Sequence, residues 1–340
     1  PSIATGAIGY LTDPVECETA LTNGTSDVVF LGRPLITDAA FPNKAAEGKI
    51  ENIRYCVSCN SCWRSIIEAG ALACDNNPKV GEPDEHLVAP PSVTSRRHVV
   101  IVGTGVAALE AAHTAAAHGQ KVTVLGDHEA FGGKTRLHAQ MPGGENLSSV
   151  YDFQYLRAQQ LGVKFELGRQ ASIEDVLSCD PDVVLLATGS RSARPEWLPE
   201  EWFTQGLIPS LRDMARQLAQ GMGRAPGRAV IVDQDHTEMT YATALRMATY
   251  FDQITLVTSR ERFANDVSLI NRQGILKRLF ESSVELICHV EPEDVTQLEK
   301  GQFALRNVYN GALETLDSMT AVIHASSRVP NDGLREPLLA

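Results

Sequence analysis

Apolar runs of strand length alternate with helix-period stretches along most of the 340-residue chain, a pattern that predicts an α/β fold with parallel sheets. Residues 1–50 read as two strand–helix units. SIATGAIGYL is an apolar strand segment, and DPVECETALTNG after it is an amphipathic helix with a glycine stop. DVVFLGRPLI is a second buried strand, with Gly32 and Arg33 at its carboxyl end. The run LVAPPSVTS, 87–95, has two prolines, small polar residues and no periodicity, and reads as a linker. A new unit opens with strand HVVIV, an alanine-rich helix and strand KVTVL, and VVLLATGS, 183–190, is a further buried strand. After Pro226-Gly227 the pattern repeats as strand RAVIV, helix TEMTYATALRMATYF and strand QITLVTS.

The turns between these elements carry the chemistry. Between HVVIV and its helix stands G-T-G-V-A-A: Gly103 makes the tight turn, Gly105 lets the backbone approach a pyrophosphate, and Ala108 allows close helix–strand packing. With a strand before it and a helix after it, this is a dinucleotide-binding turn, and the helix N-terminus is its positive end. The acidic residue for the adenosine ribose falls by spacing on Gly126, which has no side chain, so Asp127 is the substitute. Gly132 and Gly133 read as a close approach to the same ligand. Thr188 and Gly189 end a strand near it, or end a plain core strand with a turn. In the second unit the equivalent turn reads DQDHTE, Asp233 to Glu238, without glycine. Two carboxylates there repel a pyrophosphate and bulky side chains obstruct it, unless other residues hold NAD(P)H. It reads as a nucleotide fold that has lost its nucleotide. Gly6 and Gly32, each associated with one of two successive strands, suit a phosphate at the end of a (β/α)8 barrel; Gly6 also reads as a simple turn glycine.

Cys56, Cys59 and Cys62 in CVSCNSC, with Cys74 following after eleven intervening residues, have the spacing of four thiolates around a [4Fe–4S] cluster. A structural zinc site, which usually pairs two separate C-x-x-C knuckles, and a disulfide pair are the alternatives. Cys17, Cys179 and Cys288 are scattered singly and read as small buried hydrophobes. Composition adds limits more than content. The length allows two or three domains, and 43% hydrophobic with 21% charged residues is ordinary for an α/β protein. A net charge of −12 argues against nucleic acid or an anionic membrane as partner. No stretch reaches bilayer-spanning length and no signal peptide is visible, which points to the reducing cytoplasm. The opening on Pro1 and the stop at Ala340, inside what reads as a connection, suggest a portion of a longer polypeptide.

Taken together, these segments resemble the iron–sulfur branch of the Old Yellow Enzyme family, which contains trimethylamine, dimethylamine and histamine dehydrogenases, 2,4-dienoyl-CoA reductase and N-demethylases. ATGAI, LGRPL, ENIRYCVSCNSC with Cys74, GTGVAALEAA, GGK and VVLLATG carry the likeness, which covers essentially the whole chain. The resemblance implies an α/β chain made of the C-terminal end of a (β/α)8 TIM barrel, a [4Fe–4S] cysteine loop and two Rossmann-like domains. The last two barrel units would occupy 1–50, the cluster loop and linker 51–95, an ADP- or FAD-binding domain 96–208, a second Rossmann-like domain without a glycine fingerprint 209–328, and a truncated return segment 329–340. It makes Gly6, Gly32 and Arg33 contacts of an FMN phosphate and puts Arg54 between cluster and flavin. Within the branch, the dienoyl-CoA reductases carry FAD and take hydride from NADPH, whereas the amine dehydrogenases hold ADP and discharge to an electron-transfer flavoprotein. DQDHTE, Ser326-Ser327 in place of Thr-Gly, and the two-residue gap before Cys62 resemble the amine dehydrogenases. The expected function is therefore oxidative dehydrogenation or N-demethylation of a small amine, with an electron-transfer flavoprotein and a second copy of the chain as partners. An NADPH-dependent dienoyl-CoA or enoate reductase and a non-catalytic electron-transfer fragment are the alternatives. The barrel residues that would hold substrate lie upstream of Pro1, so no catalytic residue is assigned.

Overall fold

The computed structural model describes residues 3–339 apart from 69, 84 and 86–94, so Pro1, Ala340 and nearly all of the linker expected at 87–95 lie outside the described residues. The chain divides into two compact units, one of residues 1–135, 146–188 and 332–340, the other of residues 136–145 and 189–331.

In the first unit, β1 (Gly6–Ile8) and β2 (Val28–Phe30) pair in parallel, with Gly6 opposite Val28. They are joined by α1 (Pro14–Thr22), whose start follows from its sequence: the Asp13 carboxylate accepts the Val15 N–H at 2.7 Å and Pro14 sits in the first turn. The segment expected as a second buried strand is not buried. Val28 and Phe30 are 46% and 56% exposed, because a two-stranded ladder has no opposed layer here to cover its apolar side chains. Three short helices follow, α2 (Arg33–Thr37), α3 (Phe41–Ala46) and α4 (Ser61–Ile67).

A nucleotide-type fold is then built from β3 (His98–Val102), α5 (Val106–Ala117), β4 (Lys121–Leu125), α6 (Gly133–Ala139), α7 (Ser148–Gln160), β5 (Lys164–Glu166), α8 (Ile173–Ser178) and β6 (Val183–Leu186). The four strands are parallel in the order β5-β4-β3-β6. Ile101, Ala108, Ala112, Val124 and Ala158 form the core on one face. Val100, Val102, Leu125 and Val176 form it on the other. The unbroken apolar run of β3 is what burial on both faces requires. The strand expected at 183–190 is shorter, and Val183 and Leu185 are 39% and 37% exposed because β6 is an edge strand of this sheet.

The second unit comprises β7 (Ser190–Ser192), α9 (Glu200–Gln205), α10 (Leu211–Gln220), β8 (Ala225–Asp233), α11 (Glu238–Met247), β9 (Phe251–Val257), α12 (Leu269–Glu281), β10 (Glu285–Ile287), β11 (Val290–Asp294), β12 (Phe303–Asn307), β13 (Leu313–Leu316), β14 (Met319–Ala325) and β15 (Arg328–Pro330). Its parallel sheet runs β10-β9-β8-β14, the same chain order as the first. β11, β12 and β13 form an antiparallel meander, and β7 pairs antiparallel with β15. Tyr241, Met239, Ile231, Leu256 and Leu279 lie at the centre of the core. Cys17, Cys179 and Cys288, expected as buried hydrophobes, are only half-buried.

Candidate functional site

The bare-backbone cradle lies at the first turn of α5. Gly103 has φ +128°, and a Cβ there would stand 2.2 Å from the Ala187 carbonyl oxygen. Glycine is therefore required by both conformation and space. Gly105 caps α5, and its neighbour across a parallel bridge is Gly132, whose N–H donates to the Thr104 carbonyl at 2.9 Å. Gly133 opens α6 with φ +51°, and a Cβ there would approach the Gly105 Cα to 3.2 Å. Two helix starts thus meet across four glycines, with the fully buried Ala108 beneath them. Such a place can take a diphosphate on unobstructed N–H groups. Thr188 follows the Ala187 carbonyl at Gly103, Gly189 has φ +71°, and Asp127 is exposed beyond β4. Gly126 is buried, and a side chain there would strike Thr104.

The four cysteines of the loop line one small pocket together with Arg33, Ile36, Thr37, Val57, Asn60 and Asn76. None is in a disulfide. Ser58 and Asn60 take left-handed backbone, φ +57° and +59°, which turns the chain between successive thiols. Backbone N–H groups of Ser61 and Trp63 point at the sulfurs of Cys59 and Cys62. The far end of the loop is clamped: Ser61 donates to Asp75 at 2.6 Å, Asn76 to the Tyr55 carbonyl at 2.9 Å, and Asn77 to the Ile36 carbonyl at 2.9 Å. Cys74 Sγ lies 3.7 Å from the Thr37 hydroxyl. Burial pushes the Cys59 thiol up to about 11 and raises that of Cys62. Among the described residues no three His, Cys, Asp or Glu side chains are grouped as ligands of a metal ion.

The residues expected at a flavin phosphate are placed as follows. Gly6 lies inside β1 rather than in a turn, and its missing side chain makes room for the Phe30 ring, 2.2 Å from where a Cβ would stand. Gly32 caps α2 and faces open space. The Arg33 guanidinium donates to Asn60 at 2.9 Å and lies 5.7 Å from the Tyr10 ring, with no carboxylate partner among the described residues. Arg54 forms a two-pronged pair with Glu110 on α5, at 2.7 and 3.0 Å. It also donates to the Asn76 carbonyl at 2.6 Å and stacks 4.6 Å from the Phe153 ring. The pair forms part of the wall of a cavity of about 630 Å³. Glu110 was not a residue that spacing could single out, since its partner is 56 positions away. Burial works to raise the Glu110 carboxyl, but hydrogen bonds from His113 and Arg54 outweigh it and hold it at about 2.

In the second fold the turn after β8 is filled with side chains. Asp233 is fully buried, accepts the Tyr241 hydroxyl at 2.6 Å and the His236 N–H at 2.9 Å, and is pushed up to about 7 by burial. His236 takes φ +50°, a conformation glycine adopts more easily. Asp235, with its side chain 6% exposed, pairs with Arg328 at 3.1 Å. Ser326 donates to the Ala193 carbonyl at 2.6 Å and touches His324 at 3.0 Å.

Comparison with known proteins agrees with this architecture. The chain is 32% identical over 259 residues to a protein of Rhizobium meliloti (strain 1021) named "Probable N-methylproline demethylase", covering 74% of this chain and 36% of that one. It is 34% identical over 189 residues to the cinnamate reductase of Clostridium sporogenes, covering 54% and 27%. The structure of histamine dehydrogenase from Rhizobium sp. 4-9 shares the fold, with a TM-score of 0.84 over 99% of this chain and 50% of that one at 23% identity. The match therefore spans 36% and 27% of the two curated relatives and half of the solved chain. Residues 97–334, which contain both nucleotide-type folds, match pyridine nucleotide-disulphide oxidoreductase, and the chain belongs to that family.

Proposed function

We propose that this chain is the iron–sulfur and nucleotide-binding part of a flavoprotein that dehydrogenates or N-demethylates a small amine and delivers the electrons to a protein acceptor, not to a nicotinamide. The contrast between two equivalent turns carries this: four glycines leave the first open, whereas Asp235 and His236 fill the second. The likeness to the protein named as an N-methylproline demethylase supports it.

When bound, a flavin supplies two-electron oxidation of the substrate and a [4Fe–4S] cluster supplies one-electron transfer to the acceptor. Cys56, Cys59, Cys62 and Cys74 would be the thiolate donors: all four are free of disulfides and line one pocket, and two of them face backbone N–H groups, while no three are drawn together as ligands among the described residues. Gly32, open at a helix start, and Arg33, without a carboxylate partner among the described residues, suit a flavin phosphate. Gly103, Gly105, Gly132 and Gly133 hold the diphosphate of ADP or FAD, with Asp127 at the ribose. Arg54 fixes the cysteine loop against α5, so its part is positioning.

Anaerobic titration of the holoprotein with N-methyl amines, followed by flavin absorbance, tests the direction of flow. Bleaching by an amine without NAD(P)H supports the reading. Bleaching by NADPH alone sinks it and favours an enoate reductase, the reading that the 34% identity to cinnamate reductase keeps in view. Acid extraction separates the two again, ADP going with the dehydrogenase and FAD with the reductase.

A further inference from the structure

The turn between β8 and α11 is more than obstructed. Asp235 Oδ1 accepts the Thr237 backbone N–H at 3.0 Å and the Thr240 hydroxyl at 2.6 Å, and its Oδ2 accepts from Arg328 at 3.1 Å. The N–H of the residue capping a 10-residue helix, a hydroxyl in its first turn and a guanidinium are donors of the kind that hold phosphates at such turns. All three close on one carboxylate that belongs to the chain. Arg212, at the start of α10, feels the charges of both Arg328 and Asp235 while its guanidinium holds the Ser190 carbonyl. Arg212 Nε, Arg328 Nη1 and Thr237 Oγ1 are buried and have no partner among the described residues. The buried donors around Asp235 thus exceed what its carboxylate satisfies.

We propose that Asp235 is a tethered stand-in for a ligand phosphate, holding the second fold closed to dinucleotides, and that Arg328, Arg212 and the first turn of α11 form an anion site which opens when this carboxylate is removed. The assignment rests on the reading above that electrons do not pass through a nicotinamide, and it names the residue responsible. Asp233 is not that residue, because it is turned inward to Tyr241 and His236. Glu238 is engaged by Asn271 at 2.6 Å.

Two variants test it. Asp235→Ala empties the position, and Asp235→Asn keeps the acceptor for Thr237 while removing the charge. Each, with the parent, is titrated calorimetrically with inorganic pyrophosphate and, separately, with NADPH. The parent should bind neither, and Asp235→Ala should bind pyrophosphate at least tenfold more tightly than the parent. That gain should vanish in Asp235→Ala/Arg328→Gln. If Asp235→Ala fails to fold, Asp235→Asn decides on the same readout. A folded variant that binds pyrophosphate no better than the parent overturns the proposal. Failure of both variants to fold overturns it as well, since a plug is dispensable where a structural cap is not. NADPH binding by the parent overturns the underlying reading, an outcome seen independently of the pyrophosphate result.

Discussion

Arg54 and Glu110 bring opposite charges into a region where their side chains are only 12% and 23% exposed. A pair of this kind gains little over an apolar substitute, but removing one member strands the other. Glu110→Gln should therefore cost about 3 kcal/mol, measured as a lower urea midpoint at unchanged slope, while an exposed pair such as Lys49–Glu47 should be worth almost nothing when broken. Arg54 is visible in the sequence just before the cysteine loop, where the resemblance implies a place between cluster and flavin. Its partner was not visible, because a pairing across 56 positions leaves no periodic trace. The glycines were legible for the opposite reason: a positive φ or a forbidden Cβ is a local demand that only one residue type meets.

At the scale of elements, the two nucleotide-type folds share one strand order, and the turn after the first strand of each is open in one and filled in the other. The strands read from HVVIV and KVTVL match β3 and β4 residue for residue, since runs buried on both faces have little latitude in where they end. The antiparallel meander β11–β13 was not read at all. Its strands are 4 or 5 residues long and mix polar with apolar side chains, so no apolar run marks them. The segment read as a buried strand at β2 was apolar enough, but burial depends on a covering layer and not on composition. The first turn gives the sharper prediction. Gly103→Ala would drive a methyl into the Ala187 carbonyl at a φ of +128°. It should cost roughly 3 kcal/mol and abolish retention of ADP or FAD, checked by acid extraction of the purified variant. Gly133→Ala, at 3.2 Å from Gly105 Cα, should weaken retention with a smaller loss of stability.

For the whole molecule, the division into two units with separate cores predicts unfolding in two steps. Trp197 and Trp202 pack against the second unit's core, whereas Trp63 lies in the first unit and is 49% exposed, so fluorescence weights the second unit and far-UV dichroism reports both. The two signals should not coincide, and Glu110→Gln should move only one step. Acid and base act on the other. Burial lowers His324 to about 4 from an ordinary 6.5, so its contribution is full above about 6.5 and is lost as pH falls through 4. Burial raises Asp233 to about 7 from 3.8, so its contribution is full below about 4 and is lost as pH rises through 7. Each is on the order of 3 kcal/mol, and the two slopes oppose one another between pH 4 and 6.5, leaving the parent comparatively flat. His324→Gln should unmask the Asp233 slope, with the second unit's midpoint falling as pH rises from 4 to 7. Asp233→Asn should unmask the reverse slope. If both variants track the parent across that range, the opposition is absent; if either one also moves the step sensitive to Glu110, the two cores do not unfold independently.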